Sequence, residues 1–188
     1  FGPKYRISIW GASHTLEMGV RIEGVPCGIV LSESDFAADI ARRKPADASA
    51  TPRIEGDIPH IVAGLRDGVT TGEPIEIVFQ NNNTRSSDYS QFERQPRPSH
   101  VDFVARAKYG SEVDLRGSGQ FSGRMTLLLV AAGVVAKKIV AGVEYSTSIV
   151  ELGGSRNSTE FDEIASAARR DGDSVGRVPC PRCRGRTR

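Results

Sequence analysis

The stretch that decides the fold is Arg124–Ile139, which reads RMTLLLVAAGVVAKKI. Its apolar side chains recur on every side of a helix rather than along one stripe, and a helix that is apolar all round is a buried one. Lys137 and Lys138 interrupt the stretch, which falls short of the ~20 apolar residues that a membrane span needs. It therefore predicts a central core helix on which the other elements pack.

The flanking sequence predicts strands and further helices. Alternation of apolar and polar residues predicts strands at Tyr5–Trp10, Val20–Val25, Ile58–Leu65, Ile75–Phe79 and Glu144–Leu152. Capping residues followed by helical spacing predict helices over Asp35–Lys44, His100–Tyr109 and Thr159–Arg170. Hairpin-like strands beside a fully buried helix indicate an α+β protein, with sheets packed against helices.

The charge is unevenly distributed. The chain has 188 residues and a net charge of +2, but residues 177–188 hold five arginines and no acid, so the preceding 176 residues carry −3. Such a basic tail is usually irregular, and it leaves nucleic-acid binding as a weaker alternative function. The low aromatic content of 6% argues against a protein that binds nucleic acid by base stacking.

The cysteines and the N-terminal sequence indicate a cytoplasmic protein. Three cysteines, Cys27, Cys180 and Cys183, are too few for a disulfide framework, and the opening residues lack the apolar segment of a secretory signal. Cys180 and Cys183 have the spacing of half a zinc site or of a redox pair. Since they lie in a Pro/Arg/Gly string, an irregular tail is the preferred interpretation and no metal site is expected.

Two histidines are candidates for proton transfer. His14 lies in a small-residue turn directly after a predicted strand, and His100 lies at a predicted helix start, two residues before Asp102. Histidine has an unperturbed pKa of about 6.5 and exchanges protons near neutrality. The alternative is that each is a surface or capping group without a catalytic role.

Basic residues cluster at a few places in the chain. They are Arg42 with Arg43, Arg97, and the pair Arg116 and Arg124, which flanks the glycine-rich turn Gly117–Gly119. Guanidinium groups bind phosphate and carboxylate oxygens in a bidentate manner, and backbone amides of glycine-rich turns approach anions closely. The residues alone thus indicate an enzyme with a small anionic substrate, although Arg42 and Arg43 also complement the dipole at a helix C-terminus.

Several motifs, taken in chain order, resemble the chorismate synthase family. They are Gly11-Ala-Ser-His14 with Gly24-Val-Pro26, Arg42-Arg43-Lys44-Pro45, Gly68-Val-Thr-Thr-Gly72 with Asn81…Arg85-Ser86…Asp88-Tyr89, Arg97-Pro-Ser-His100-Val-Asp102 with Lys108-Tyr-Gly110, and Asp114-Leu-Arg-Gly117…Ser122-Gly-Arg124…Ala131-Ala-Gly133. The resemblance extends over residues 1–176. Where the family has glycine before the second histidine, this chain has Ser99, and Gln120 and Phe121 replace Arg and Ser.

The resemblance implies a β-α-β sandwich of antiparallel sheets around central helices, assembled as a homotetramer. It implies a cytoplasmic lyase of the shikimate pathway, with no nucleic-acid or membrane partner. Members convert 5-enolpyruvylshikimate 3-phosphate to chorismate and phosphate by a 1,4-anti elimination and require reduced FMN. NADPH is implied for members that reduce their own flavin.

The resemblance also implies roles for individual residues. His14 matches the histidine that protonates the leaving phosphate, and His100 matches the histidine that protonates the reduced flavin. The implied substrate-binding residues are Arg42, Arg43, Arg97, Arg116 and Arg124. The implied cofactor-binding residues are Gln120, Phe121, Ser122 and, for NADPH, Arg43.

The sequence after Gly176 no longer resembles the family. We therefore divide the chain into a family-like part, residues 1–176, and a divergent basic tail, residues 177–188. The abrupt change suggests a frameshift or truncation, with about half of the usual family chain absent. In that case residues Leu127–Val135 should be partly exposed, and a non-catalytic fragment that binds FMN or another anion, or an assembly module, is the alternative function.

Overall fold

The computed structural model describes residues 3–44, 56–82, 92 and 95–185, which form two compact units divided after Ile139. In the first unit, β1 (Arg6–Gly11), β2 (Glu17–Glu23), β6 (Ile75–Gln80) and β3 (His60–Ala63) form an antiparallel sheet in the order β1-β2-β6-β3. A short hairpin joins β4 (Leu65–Arg66) to β5 (Val69–Thr70). The strands predicted at Tyr5–Trp10 and Ile75–Phe79 are confirmed to within a few residues.

The alternation of side chains along β2 and β6 builds the floor of the core. Val20 lies opposite Ile9 of β1 and Ile77 of β6 in the register of the sheet. Every second residue of the two central strands is fully buried: Met18, Val20 and Ile22 of β2, and Ile75, Ile77 and Phe79 of β6. Each such side chain contributes about 1.5–3 kcal/mol of burial free energy, so this face of the sheet holds the helices.

Helix α3 (Thr126–Ile139) contacts β2, and α1 (Ala37–Arg43) packs against α3. The turn of Glu33–Phe36 leads into α1. A capping box lies at the start of this turn, where the Ser32 backbone N–H donates to Asp35 Oδ2 at 2.8 Å. The Tyr5 hydroxyl donates to the Ala132 carbonyl at 2.7 Å, joining the sheet to α3, and burial raises the pKa of Tyr5 to about 12.

Helix α3 is buried on most of its surface, as its sequence predicts. Leu127, Leu128, Ala131, Val134 and Val135 are all buried in the core. The expected exposure within residues 127–135 is confirmed only for Leu129, which is 48% exposed, with half-buried positions beside it. The sheet and α1 thus supply most of the contacts that an apolar helix requires.

Among the described residues, one helical stretch, Arg116–Ile139, has the length and composition of a membrane-crossing segment. Its backbone leaves the helical conformation at Gly117–Gly119, so the continuous helix is the shorter α3. The core packing of α3 accounts for its apolar character, because the buried helix of a globular unit has the same composition.

The second unit contains β7 (Val143–Leu152), α4 (Phe161–Arg170) and β8 (Arg177–Gly185), and β7 pairs antiparallel with β8. The expectation of an irregular tail is therefore wrong for residues 177–185. Pro179 and Pro181 lie two residues apart, so the N–H groups that they lack fall on one edge of the strand, which is compatible with a two-stranded ladder.

The α+β class is confirmed, with antiparallel sheets and separate helices in both units. The remaining helix, α2 (Asp102–Tyr109), begins two residues later than predicted. The division at residue 176, which concerns family likeness, stays a prediction. Motif residues Pro45, Arg85, Ser86, Asp88 and Tyr89 lie outside the described residues.

Candidate active site

Two partly buried arginines lie at one buried carboxylate. Arg124, in the short turn that precedes α3, donates from Nη1 to Asp57 Oδ1 at 2.9 Å, and Arg43 Nη1 at the end of α1 lies 3.9 Å from Asp57 Oδ2. Arg43 Nη2 also donates to the carbonyls of Gly123 and Arg124, at 3.2 and 3.3 Å. The side chain of Asp57 is 5% exposed, so a buried carboxylate hydrogen-bonds Arg124 and lies near Arg43.

Each of these arginines keeps one buried N–H group without a partner among the described residues. The atoms are Arg43 Nε and Arg124 Nη2. Burial lowers the pKa of Arg43, and the charge of Arg124 adds to this effect while Asp57 opposes it. A buried donor without an acceptor costs about 1–3 kcal/mol, so each of these two N–H groups is a candidate donor to a bound anion.

His14 lies in a buried turn between β1 and β2. It is 8% exposed, and its Nδ1 lies 3.1 Å from Ser13 Oγ. The Ser13 hydroxyl has the carbonyls of Arg116 and Gly117 as acceptors, at 3.0 and 2.9 Å. Because a hydroxyl has one proton to donate, we assign it to a carbonyl and the Nδ1–H of His14 to Ser13 Oγ.

The glycine-rich turn Gly117–Gly119 packs against His14. Gly117, Ser118 and Gly119 have φ angles of 55°, 68° and 54°, a left-handed run in which the two glycines are the favourable residues. The Ser13 N–H donates to the Gly119 carbonyl at 3.2 Å. Gly117–Gly119 was predicted as a turn whose backbone amides approach an anion. The turn also has a packing role, because it lies against the imidazole.

Asp114 and Arg116 lie beside the same imidazole. Arg116 donates to both carboxylate oxygens of Asp114, from Nε at 2.9 Å and from Nη2 at 2.7 Å. This hydrogen bonding lowers the pKa of Asp114, and the positive charge of His14 lowers it further. Arg116 therefore reaches the His14 region as a member of an ion pair.

The second histidine belongs to a separate carboxylate cluster. Arg97 donates to Asp102 from Nε and Nη2, both at 2.8 Å, and from its backbone N–H at 3.1 Å. These bonds to a fully buried carboxyl group lower the pKa of Asp102 to about 2. His100 Nδ1 lies 3.9 Å from Asp102 Oδ1, beyond hydrogen-bond distance, so the buried carboxylate orients Arg97 and lies near the half-exposed His100.

A cavity of about 320 Å³ lies in the first unit. On one side it is lined by Arg106 of α2 and by Phe92, whose ring lies 4.7 Å from the Arg97 guanidinium. On the other side it is lined by Asp114 and Arg116. The described lining thus includes Arg106 of α2 and Arg116, which neighbour the two histidine regions, but neither His14 nor His100 itself.

The remaining sequence-predicted residues are less closely joined to these clusters. The Arg42 side chain is 74% exposed and lies 3.6 Å from Asp39, outside the Asp57 cluster. Gln120 and Phe121 are exposed, and the Phe121 ring contacts the Tyr109 ring at a centroid distance of 5.9 Å. Ser122 Oγ accepts from the Arg124 backbone N–H at 3.4 Å. Their substrate and cofactor roles stay predictions.

Sequence reasoning missed the residues that hold the candidate site residues in place. Asp57, Asn81 and Asp114 were not proposed as site residues, and Asp102 was considered only as a neighbour of His100 and a helix-start residue. No local pattern identifies Asp57 or Asn81, because Arg124, which binds both, lies 67 residues from Asp57 and 43 residues from Asn81 in the chain. For Asp102 and Asp114 a signal existed, since each lies within five residues of the arginine that it binds.

Fold and site define an α+β protein with buried arginine–carboxylate clusters suited to a small polyanion. The chorismate synthase family profile matches residues 5–180. The chain belongs to the chorismate synthase family. The family resemblance predicted from the motifs is thereby confirmed.

Individual relatives agree with this assignment. The chain is 48% identical to the chorismate synthase of Chitinophaga pinensis over 179 residues, which are 95% of this chain and 53% of that protein. It is 44% identical to the chorismate synthase of Ignicoccus hospitalis over 156 residues, 81% of this chain and 41% of that protein. The chain thus spans about half the length of the curated relatives it matches.

A solved structure supports the fold. A crystal structure of chorismate synthase superposes with a TM-score of 0.69 at 21% sequence identity, and the match covers 94% of this chain and 57% of that chain. At this level of identity the likeness concerns the fold alone. It agrees with the α+β class predicted from the sequence.

Proposed function

We propose that the chain acts as a chorismate synthase in the shikimate pathway, eliminating phosphate from 5-enolpyruvylshikimate 3-phosphate by a 1,4-anti elimination to form chorismate. The observation that carries the proposal is the pair of buried, unpartnered N–H groups on Arg43 and Arg124. Both belong to guanidinium groups that share Asp57. Such donors fit the phosphate or a carboxylate of a substrate with several negative charges.

Each candidate residue has a defined task in this proposal. Arg43 and Arg124 bind substrate oxygens, Arg97 and Arg116 offer further guanidinium N–H groups to the phosphate and carboxylates, and Arg42 contacts the substrate from the exposed end of α1. His14 protonates the leaving phosphate through Nε2, because its Nδ1 is engaged by Ser13. A positioned histidine acid contributes about 10²–10⁴ in rate.

The residues present also fit reduced FMN, a planar ring that carries a phosphate. Phe121 and Tyr109 are 42% and 49% exposed and form an aromatic pair, which offers a ring surface on which a flavin could stack. Gln120, Phe121 and Ser122 would hold the flavin, and His100 would protonate it. When bound, reduced flavin supplies transient electron donation to the substrate. Arg43 would also contact NADPH if this protein reduces its own flavin.

The proposal includes the setting of the family. It assigns a cytoplasmic enzyme that works as a homotetramer on a small-molecule substrate, without nucleic-acid or membrane partners. The small number of cysteines, three in 188 residues, supports a reducing compartment. A divergent basic tail at residues 177–188 remains part of the proposed organisation.

A second candidate function is a non-catalytic fragment or assembly module that binds FMN or another anion. The two unpartnered N–H groups of Arg43 and Arg124 are compatible with it, because they bind an oxyanion with or without turnover. In this case the arginine cluster would still bind an oxyanion, but no elimination would follow. The two candidates therefore differ in turnover and agree in binding.

An anaerobic assay separates the two candidates. The 188-residue chain is mixed with chemically reduced FMN and 5-enolpyruvylshikimate 3-phosphate, and phosphate release is measured. We expect release that falls at least ~10-fold in His14→Ala and in His100→Ala, and that is unchanged in Arg21→Gln, an exposed control that pairs with Glu23. Substrate binding without phosphate release would support the second candidate, and absence of binding would contradict both.

A further inference from the structure

We propose that Asn81 is a positioning residue that fixes the Arg124 guanidinium relative to the turn carrying His14. This inference rests on the proposed function, because it concerns the anion that Arg124 would bind and the imidazole that would protonate it. Asn81 is the first residue after β6 and is 6% exposed. It belongs to neither of the histidine motifs, and its hydrogen bonds go to Arg124 and to backbone groups rather than to an imidazole.

The side chain of Asn81 connects three chain segments. Its Nδ2 donates to the Thr15 carbonyl at 2.8 Å and to the Ala12 carbonyl at 3.2 Å. Its Oδ1 accepts from Arg124 Nε at 2.6 Å. Its backbone N–H donates to the Leu16 carbonyl at 2.9 Å. Ala12 and Thr15 flank His14 on both sides, so one amide group links the arginine to the His14 turn.

The chemistry of the partners determines the orientation of this amide. Backbone carbonyls only accept hydrogen bonds and a guanidinium only donates them, so Nδ2 must face the turn and Oδ1 must face Arg124. Aspartate has the same shape but cannot donate to the two carbonyls. Glutamine has the same groups on a side chain that is one methylene longer. Asparagine alone among these side chains satisfies all three partners at this distance.

Two anchors then determine the plane of the Arg124 guanidinium. Nε is held by Asn81 and Nη1 is held by Asp57. The unpartnered Nη2 is the remaining nitrogen, so its direction follows from the other two. An anion bound at Nη2 is consequently held at a set distance from a turn that Asn81 also holds. Misplacement of a reacting group by about 1 Å can cost about 10²-fold in rate.

The test measures coupling between the anion and His14 rather than stability. Inorganic phosphate is titrated into the wild-type chain while the His14 Cε1–H resonance is followed by NMR, with its assignment taken from a His14→Asn variant. We expect the resonance to move as phosphate saturates the arginine cluster. In Asn81→Ala we expect phosphate to bind within about tenfold of the wild-type Kd, while the His14 response falls to less than half.

Two further variants separate positioning from a general structural effect. Asn81→Asp keeps an acceptor for Arg124 but places a carboxylate against the Ala12 and Thr15 carbonyls, so the His14 response should again be lost. Gln80→Ala, the exposed neighbour in β6, should leave both binding and response unchanged. An unchanged His14 response in Asn81→Ala and Asn81→Asp would overturn the inference and leave the proposed anion site intact.

A wild-type measurement keeps the inference testable if the variants do not fold. The Arg124 Nε–H should exchange with solvent at least about tenfold more slowly than the Nε–H of exposed Arg21, because Asn81 protects it. Equal exchange rates would overturn the inference. Absence of any phosphate binding by the wild type would instead contradict the proposed function, and the inference with it.

Discussion

Gly117 lies directly against the imidazole of His14. A Cβ atom at residue 117 would overlap His14 Cε1 and stand 2.5 Å from Nδ1, closer than non-bonded contacts allow. The φ angle of Gly117 is also positive, at 55°. The position of the candidate general acid therefore depends on the absence of a side chain more than a hundred residues later in the chain.

Gly117→Ala should displace His14 and destabilise the first unit. Overpacking costs about 1–3 kcal/mol, and the left-handed backbone adds about 1 kcal/mol for a residue with a Cβ. We expect a loss of about 2–4 kcal/mol in the free energy of unfolding, measured by urea denaturation. Gly123→Ala is the matched control, because a Cβ there meets nothing within 4 Å. Equal stabilities of the two variants would contradict the contact with His14.

Gly133→Ala should stabilise the protein. Gly133 lies inside α3, and an added Cβ there also meets nothing within 4 Å. Replacing glycine by alanine in a helix interior favours the helix by about 0.5–1 kcal/mol. A rise in the urea midpoint without a change in m value is the expected observation, and a fall would show that this face of α3 is more crowded than the structure indicates.

Asp57→Asn should destabilise the arginine cluster while it preserves the backbone. Asp57 has a φ of 51°, a conformation that asparagine also tolerates. The substitution leaves Arg43 and Arg124 without their shared negative charge, and removing one partner of a buried ion pair costs about 3–5 kcal/mol. Exposed Glu73→Gln is the control in the same urea experiment. Phosphate at millimolar concentration should restore part of the lost stability in Asp57→Asn, because the anion replaces the missing charge.

Asp102 should make unfolding depend on pH in the acid range. Arg97 lowers the pKa of Asp102 from 3.8 to about 2 in the folded chain. A lowered carboxyl pKa means that the stabilisation is complete above the unfolded pKa and is lost as the pH falls through the folded pKa. We expect about 1–2 kcal/mol of stability to be lost from this group between about pH 4 and pH 2.

Asp102→Asn tests this assignment. The wild-type free energy of unfolding should fall more steeply with acidification than that of the variant, in urea titrations at a series of pH values below about 5. The variant should also be less stable near neutrality, since the Arg97 guanidinium loses its charged acceptor. Parallel pH profiles for the two proteins would assign the acid sensitivity to other carboxylates.

Local structure was largely predictable from local patterns. The alternation in residues 5–10 is sufficient for an edge strand, and Ser32 with Asp35 is sufficient for a helix start, because both signals arise from neighbouring residues. The tail was the exception. Its prolines and arginines argued against regular structure, and only pairing with β7, 25 or more residues earlier in the chain, accounts for β8.

The sequence by itself determined the α+β class, the buried helix α3, the family, and the turn that carries His14. These properties follow from side-chain periodicity and from motifs of a few residues. Only the tertiary structure decided that Arg43 rather than Arg42 joins Arg124 on Asp57, and that Asn81 joins Arg124 to the His14 turn. The physical reason is that buried charges take whichever partners the chain path brings within about 3–4 Å, and that path depends on packing between distant segments.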